Sequence, residues 1–547
     1  MRQFLIFNIL LLLFLNIIIS NCKARIFIVD TNHPKASDTN PGIEKLPFKT
    51  ITRAVKNLKP GDVVLIKAGV YRESVIIKAN GTQDKPIVIK AYPGHEGKVI
   101  IKGSDIFYNW KRIPATFIWF TSWKYKFKSY YPSNWNDVGP YAKKSEMVFI
   151  NGMPLFQVLS KNSLSLNTFY VDNKNNKIYI CVPCNPNETK VEISVRQIGI
   201  LIYGNYIKIE GLTVTHVANN YKMDAGFRIA GHHIDIKNCK AIWNNLDGFH
   251  ITGKNILMIN CIANYNGRCG ISANIKDSMI IGCETNYNCW RFGPLIHSGG
   301  IKIVGGPPTN VILIKHISKN NKGPGIWFDY GCKNIKVERC FLHGNLFAGL
   351  ILEACVKNII VINNIICHSK TYIFPTTGTG IYINESKNIK IVNNTIFENE
   401  GYGILIAGKS RVIHYTDEIT FSKNIEIINN IIVNNKRAGL HFWVQGESAK
   451  LEAIFSHKID YNLWWPKEKM IISSLKSNIK KWIKEKQNKH SIFSDPNFLN
   501  PEKHNFNLLP NSPAIDKALF IPLIKNDFYG NLRPKGKGID IGAIESF

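Results

Sequence analysis

The chain has 547 residues, 45% hydrophobic and 20% charged, a balance that suits a packed core and excludes a disordered or collagen-like chain. Lys and Arg number 69 against 39 Asp and Glu, a formal net charge of +30 at pH 7. Such a charge admits polyanionic partners, nucleic acid or acidic polysaccharide. The lysines are scattered rather than clustered, however, and no helix-turn-helix or zinc-finger spacing occurs, so no nucleic-acid partner is expected.

Residues 4–19, FLIFNILLLLFLNIII, are almost wholly apolar after Arg2, and Cys22-Lys23-Ala24 supplies small residues for cleavage. A secretory signal peptide is predicted over 1–24, leaving a mature chain with no stable membrane insertion. The run is short for a retained anchor, and Asn21 before Cys22 fits a lipidation signal poorly.

Residues 25–104 read as the entry to a stacked β structure. Ile26–Val29 is a strand, and Thr50–Leu58 carries Ile51, Ala54, Val55 and Leu58 at helical spacing, a helix suited to capping the open end of a sheet stack. Strands follow at Val63–Lys67, Ser74–Lys78, Pro86–Ala91 and Val99–Lys102. Residues 105–195 break this pattern with Trp110, Trp119, Trp123 and Trp135 and with hairpin-like segments, and read as an inserted β-rich subdomain. Its Cys181 and Cys184 lack a partner pair at zinc spacing, so neither metal nor cofactor is expected.

From 196 to 443 the chain repeats. Glycines recur at Gly226, Gly248, Gly270, Gly300, Gly325, Gly349, Gly380, Gly403 and Gly439, each followed by alternating apolar and variable residues. A short, β-rich unit of this period predicts an all-β solenoid, a right-handed parallel β-helix with one coil per repeat. A second column, Cys239, Cys261, Cys283, His316, Cys340, Asn364, Asn394 and Asn430, keeps the coil spacing. The cysteines are therefore expected to stack inside a turn, grading into an asparagine ladder, rather than to form disulfides. Residues 444–547 leave the coils and read as a last rung, a basic helix over Ser474–Gln487 and a capping segment. There Asp516, Asp527, Asp540 and Glu545 sit in turn-forming contexts.

Strand alternation turns the second and fourth residues after each glycine outward. The resulting wall carries Arg228, His250, Asn274, Lys302, Trp327, Asp329, Glu353, Tyr382, Asn384, His441 and Trp443, flanked by a loop bearing Trp290. Such a mixture of charged, amide, imidazole and aromatic groups suits a sugar-binding groove. Asp329 and Glu353 are one coil apart (353 − 329 = 24), so they would stand side by side. Like charges on neighbouring strands are unfavourable, which makes a chemical reason for the pair worth seeking. A retaining glycosidase needs two carboxyls about 5–5.5 Å apart, close to the separation of stacked rungs. Lys302, diagonal to Asp329, is expected to keep that group ionised as nucleophile, leaving the proton on Glu353 as general acid/base.

The runs PFKTITRAVKNLKPGDVVLIKAGVYRE and GTQDKPIVIKAYPG resemble the start of bacterial right-handed β-helix carbohydrate-active proteins. With GIWFD and the following Glu353, the chain resembles glycoside hydrolase family 120, the β-xylosidase type, and is similar in architecture to family 141. The resemblance implies Asp329 as nucleophile and Glu353 as acid/base, in a bacterial protein that is secreted, periplasmic or on the cell surface. It implies a polysaccharide or oligosaccharide substrate, and a monomer is expected. Two other readings share the scaffold. One is a polysaccharide lyase or epimerase with Lys302, His250 or His441 as base; the other is a non-catalytic polysaccharide-binding surface protein.

Overall fold

The computed structural model describes residues 24–127, 139–220, 225–291, 297–374, 376–408, 410–413, 418–444, 455–473 and 487–546. The expected signal peptide apart from Ala24, almost all of the expected basic helix, and Trp135 lie outside the described residues. Among those described, no helix is long and apolar enough to cross a membrane.

Each coil supplies three short strands. In the coil that starts at Gly325 they are Ile326–Asp329, Lys333–Glu338 and Phe341–His343. The next coil repeats them as Ala348–Glu353, Lys357–Ile362 and Ile365–Cys367. Equivalent strands pair in parallel and in register. Among the described residues they make one sheet of 24 strands, which takes the first two strands of each coil, and one of 12, which takes the third. The product is a parallel β-helix.

Its core is built by columns. Phe227, Phe249, Ile271, Ile301, Ile326, Leu350, Ile381, Ile404 and Leu440 stack one above another and are all buried. Full burial of each such side chain contributes about 1.5–3 kcal/mol. The glycine before each of them has a steric cause. A Cβ on Gly325 would lie 2.6 Å from the Gly349 carbonyl oxygen and 2.7 Å from Asn345 Nδ2, so only glycine lets the turn close.

Polar ladders run beside the apolar ones. The Asn364, Asn394 and Asn430 amides each donate to the next carboxamide oxygen, ending on Asn462, at 2.9–3.0 Å. Cys340 N–H donates to Asn364 Oδ1 at 2.8 Å, and Cys261 N–H to Cys283 Sγ at 3.4 Å, so the cysteine column does grade into asparagine. The described cysteines are all free. A second ladder, Asn244–Asn266–Asn288–Asn321–Asn345, donates in the same way at 2.8–3.1 Å and was not foreseen. It spans the turn that leads into the first strand of each coil.

A short helix, Ile51–Val55, buries Ile51, Ala54 and Val55 over the first coils, with the Thr50 side chain accepting from Arg53 N–H. The described residues between 104 and 194 form two further sheets. Ser104–Ile106, Val148–Ile150, Met153–Pro154 and Val191–Ser194 make one, and five mainly antiparallel strands between Lys111 and Cys181 make the other. Trp110, Trp123, Phe169 and Ile178 fill their common core. Buried Glu192 ties this unit to the coils by pairing with Arg72 at 2.6 Å and Lys102 at 2.7 Å.

Candidate active site

The first-strand wall places Asp329 opposite Glu353, and Glu353 opposite Asn384. Adjacent rungs are about 4.8 Å apart. Two like charges at that spacing need compensation, and each has its own cation. Lys302 Nζ stands 3.4 Å from Asp329 Oδ2 and 3.2 Å from the centre of the Trp327 ring, held between carboxylate and aromatic face. Arg411 donates to Glu353 Oε1 at 2.7 Å and also pairs with Glu385. Asn384 Nδ2 donates to the same Glu353 oxygen at 3.2 Å.

The two acids differ in their surroundings. Asp329 Oδ1 is buried with no hydrogen-bond partner among the described residues. Burial lifts the Asp329 carboxyl to about 6; Lys302 and Arg411 oppose that rise and the Glu353 charge adds to it. From the sequence alone, Lys302 is the group expected to decide the charge of Asp329. The ion pair is present, but loss of solvent outweighs it. Burial likewise lowers the Lys302 ammonium, against the pull of Asp329 and Glu353.

The columns also show which expected residues meet. Lys302 pairs in register with Trp327, and Trp327 with Ile351, then Tyr382. Trp327, Ile351, Tyr382 and Leu405 form an apolar strip with Phe347, Tyr402 and Trp443 packed against it. A cleft of about 170 Å³ is lined by Pro324, Trp327, Phe347, Ile351, Glu353, Tyr382 and Asn384, an aromatic floor beside one carboxylate. Asn274 lies two coils before Asp329 on its column, His250 three and Arg228 four coils before Trp327 on theirs. His441 is three coils beyond Glu353, stacked on Tyr402 with ring centres 4.5 Å apart. Three rungs amount to about 14 Å, so Arg228, His250 and His441 do not reach the pair. Trp290 packs edge-on against Trp243, donates to the Tyr265 carbonyl at 2.8 Å, and lines a separate cleft with Tyr141, Phe156, Gln157 and Arg291.

Arg411 escaped the sequence reading. It lies in an excursion between coils, on the strand Arg411–Ile413 that forms an antiparallel hairpin with Glu418–Thr420. His414 and Tyr415 of the same excursion lie outside the described residues. The available signal was an unpaired acid, Glu353, requiring a cation from some neighbouring loop.

Two family models match the chain. The one described as right handed beta helix region covers residues 198–366 and 296–453, including the coils of the carboxylate pair. The one described as Chondroitinase B covers residues 47–209 and ends before them. The solved complex of XylC with xylose matches with a TM-score of 0.61 over 95% of this chain and 98% of that one. The chain is a right-handed parallel β-helix. At 16% identity the likeness to XylC establishes the fold alone. Pectate lyase Pel9A matches with a TM-score of 0.44 and 14% identity over 96% of this chain and 98% of its own. The uncharacterized protein YwoF of Bacillus subtilis (strain 168) is 34% identical over 73 residues, 13% of this chain and 15% of that protein. The chain thus matches only a small part of that curated relative's length.

Proposed function

We propose that the protein is a carbohydrate-processing enzyme, a retaining glycoside hydrolase in which Asp329 is the nucleophile and Glu353 the general acid/base. The observation that carries the reading is the in-register stacking of Asp329 on Glu353, each with its own buried or half-buried cation. A retaining mechanism needs about 5–5.5 Å between its carboxyls, and rung spacing supplies nearly that. Among the described residues Asp329 Oδ1 accepts no hydrogen bond, which supports its role as nucleophile, whereas Glu353 Oε1 accepts from Arg411 and Asn384. Attack by Asp329 on the anomeric carbon would displace the aglycone as Glu353 protonates it. Water, deprotonated by Glu353, would then release the sugar from Asp329. Trp327 and Tyr382 line the cleft beside Glu353 in which a sugar ring would sit. The likeness to XylC, solved with xylose, supports a pentose among the substrates to be tried first.

The lyase or epimerase reading draws on the Chondroitinase B match over residues 47–209. It needs a free base and a cation to neutralise a uronate. Lys302 and Arg411 are instead already paired with Asp329 and Glu353. Incubation with neutral and uronic polysaccharides and aryl glycosides separates the readings. New reducing ends without the ultraviolet absorbance of unsaturated uronates are expected. Unsaturated products would establish elimination instead.

A further inference from the structure

On a different sheet from the carboxylate pair, four potential ligands converge from three parts of the chain. His343 and Cys367 end adjacent strands of the 12-stranded sheet and stand opposite one another in register. His343 Nδ1 and Cys367 Sγ are 3.5 Å apart. His368 follows immediately in a left-handed turn conformation, φ 56°. His504 arrives from the carboxy-terminal segment, also left-handed at φ 59°, in the tight turn between strands Phe498–Asn500 and Asn505–Leu508. One ligand atom from each of the four lies within 4.8 Å of every other.

We propose that His343, Cys367, His368 and His504 form a four-coordinate site for a divalent transition metal of the zinc type, which fastens the carboxy-terminal segment to the β-helix. Three imidazoles and one thiolate are the donor set such an ion takes in closed structural sites. Zinc bonds of about 2.0–2.3 Å set tetrahedral donors roughly 3.3–3.6 Å apart, a separation His343 and Cys367 already have. The remaining donors, within 4.8 Å of one another, need to close by about 1.5 Å at most. His504 is exposed, which gives the ion a way in, whereas Cys367 is buried and keeps bulk water from the sulfur. Glu398 Oε2 lies 3.7 Å from His368 Nδ1, where an outer carboxylate would orient the ring.

Coordination forms one metal–sulfur and three metal–nitrogen bonds and releases the thiol proton to solvent, with no change of oxidation state. The rings of His343 and His504 already meet edge to face, 4.4 Å apart between centres.

The test uses full-length protein stripped with a chelator and titrated with cobalt(II), then zinc(II). One cobalt per chain, intense tetrahedral visible bands and a thiolate charge-transfer band are expected. Cys367→Ser should lose the charge-transfer band, and His504→Ala, a surface change, should weaken binding at least tenfold. At one zinc concentration the melting temperature should rise for the wild type and rise by less for His504→Ala. Absence of a tetrahedral cobalt spectrum in the wild type overturns the site. So does a spectrum indifferent to both substitutions.

Discussion

At Asp329 four influences compete, and their order is testable. Burial and the Glu353 charge raise the carboxyl, Lys302 and Arg411 lower it, and the result is about 6. An acid with a raised value gives up its proton only as pH climbs through that value. A nucleophile must be ionised, so kcat/KM should rise through an acid limb near pH 6 and level off above it. If Asp329 instead had to hold the proton, the same titration would appear as a falling limb, which would exchange the two roles. Arg411→Ala removes a cation that favours the ionised form. The limb should then move to higher pH, by about half a unit to one unit, while Lys302 stays in place. A limb that stays put would show that Arg411 does not act on Asp329. The pairing of Asp329 with Glu353 was legible in the sequence, because two glycines one coil apart set the register. The partner of Glu353 was not, because Arg411 comes from a loop whose path no periodicity dictates.

Within one coil, the strand Ile326–Asp329 is held by what lies at its start. Asn345 Nδ2 donates to Ser318 O at 2.8 Å, and its Oδ1 accepts from both Asn321 N–H and Asn321 Nδ2. Removing it leaves buried donors unmet. Asn345→Ala should therefore cost about 2–3 kcal/mol, since each orphaned buried group costs about 1–3. Gly325→Ala should cost about 1–3 kcal/mol through forced backbone displacement. Urea denaturation measures both, and a loss under half a kcal/mol in either would deny the ladder its role. The cysteine-to-asparagine column could be read from spacing because its members recur at coil intervals. The second ladder, Asn244 to Asn345, sits just ahead of the glycines at the same successive spacings of 22, 22, 33 and 24 residues as Cys239 to Cys340 in the first column, so its period was equally present in the sequence. Its members lie among many other asparagines, Asn264, Asn286 and Asn320 among them, and spacing alone does not say which of these turn inward.

Across the whole molecule, the carboxy-terminal segment covers the 12-stranded sheet. Phe506, Ala514, Ile541 and Ala543 pack against Ile365, Phe397, Ile431 and Leu463. Asn363, Asn393 and Asn429 reach from the coils to its carbonyls at 2.6, 3.0 and 2.8 Å. Asp516, Asp527, Asp540 and Glu545 are engaged in hydrogen bonds and one ion pair within this segment. Asp527 Oδ1 accepts from Gly530 and Asn531 N–H, and wholly buried Arg533 pairs with Glu545 at 2.8 Å. Breaking a buried pair from one side costs about 3–5 kcal/mol. Arg533→Ala should lose that much and expose the apolar sheet face, read by denaturation and dye binding. The repeats announced the β-helix because every coil restates the same glycine and apolar positions. How the tail folds back had no such repetition, and its many turns carry no period.

The central claim is that Asp329 and Glu353 act together on a glycosidic bond. It is tested most directly by comparing glycoside hydrolysis by the wild type, Asp329→Asn and Glu353→Gln, with melting curves confirming that each is folded. The wild type should release reducing sugar, and each variant should fall by roughly 10²–10⁴-fold. Full activity in either folded variant would contradict the account.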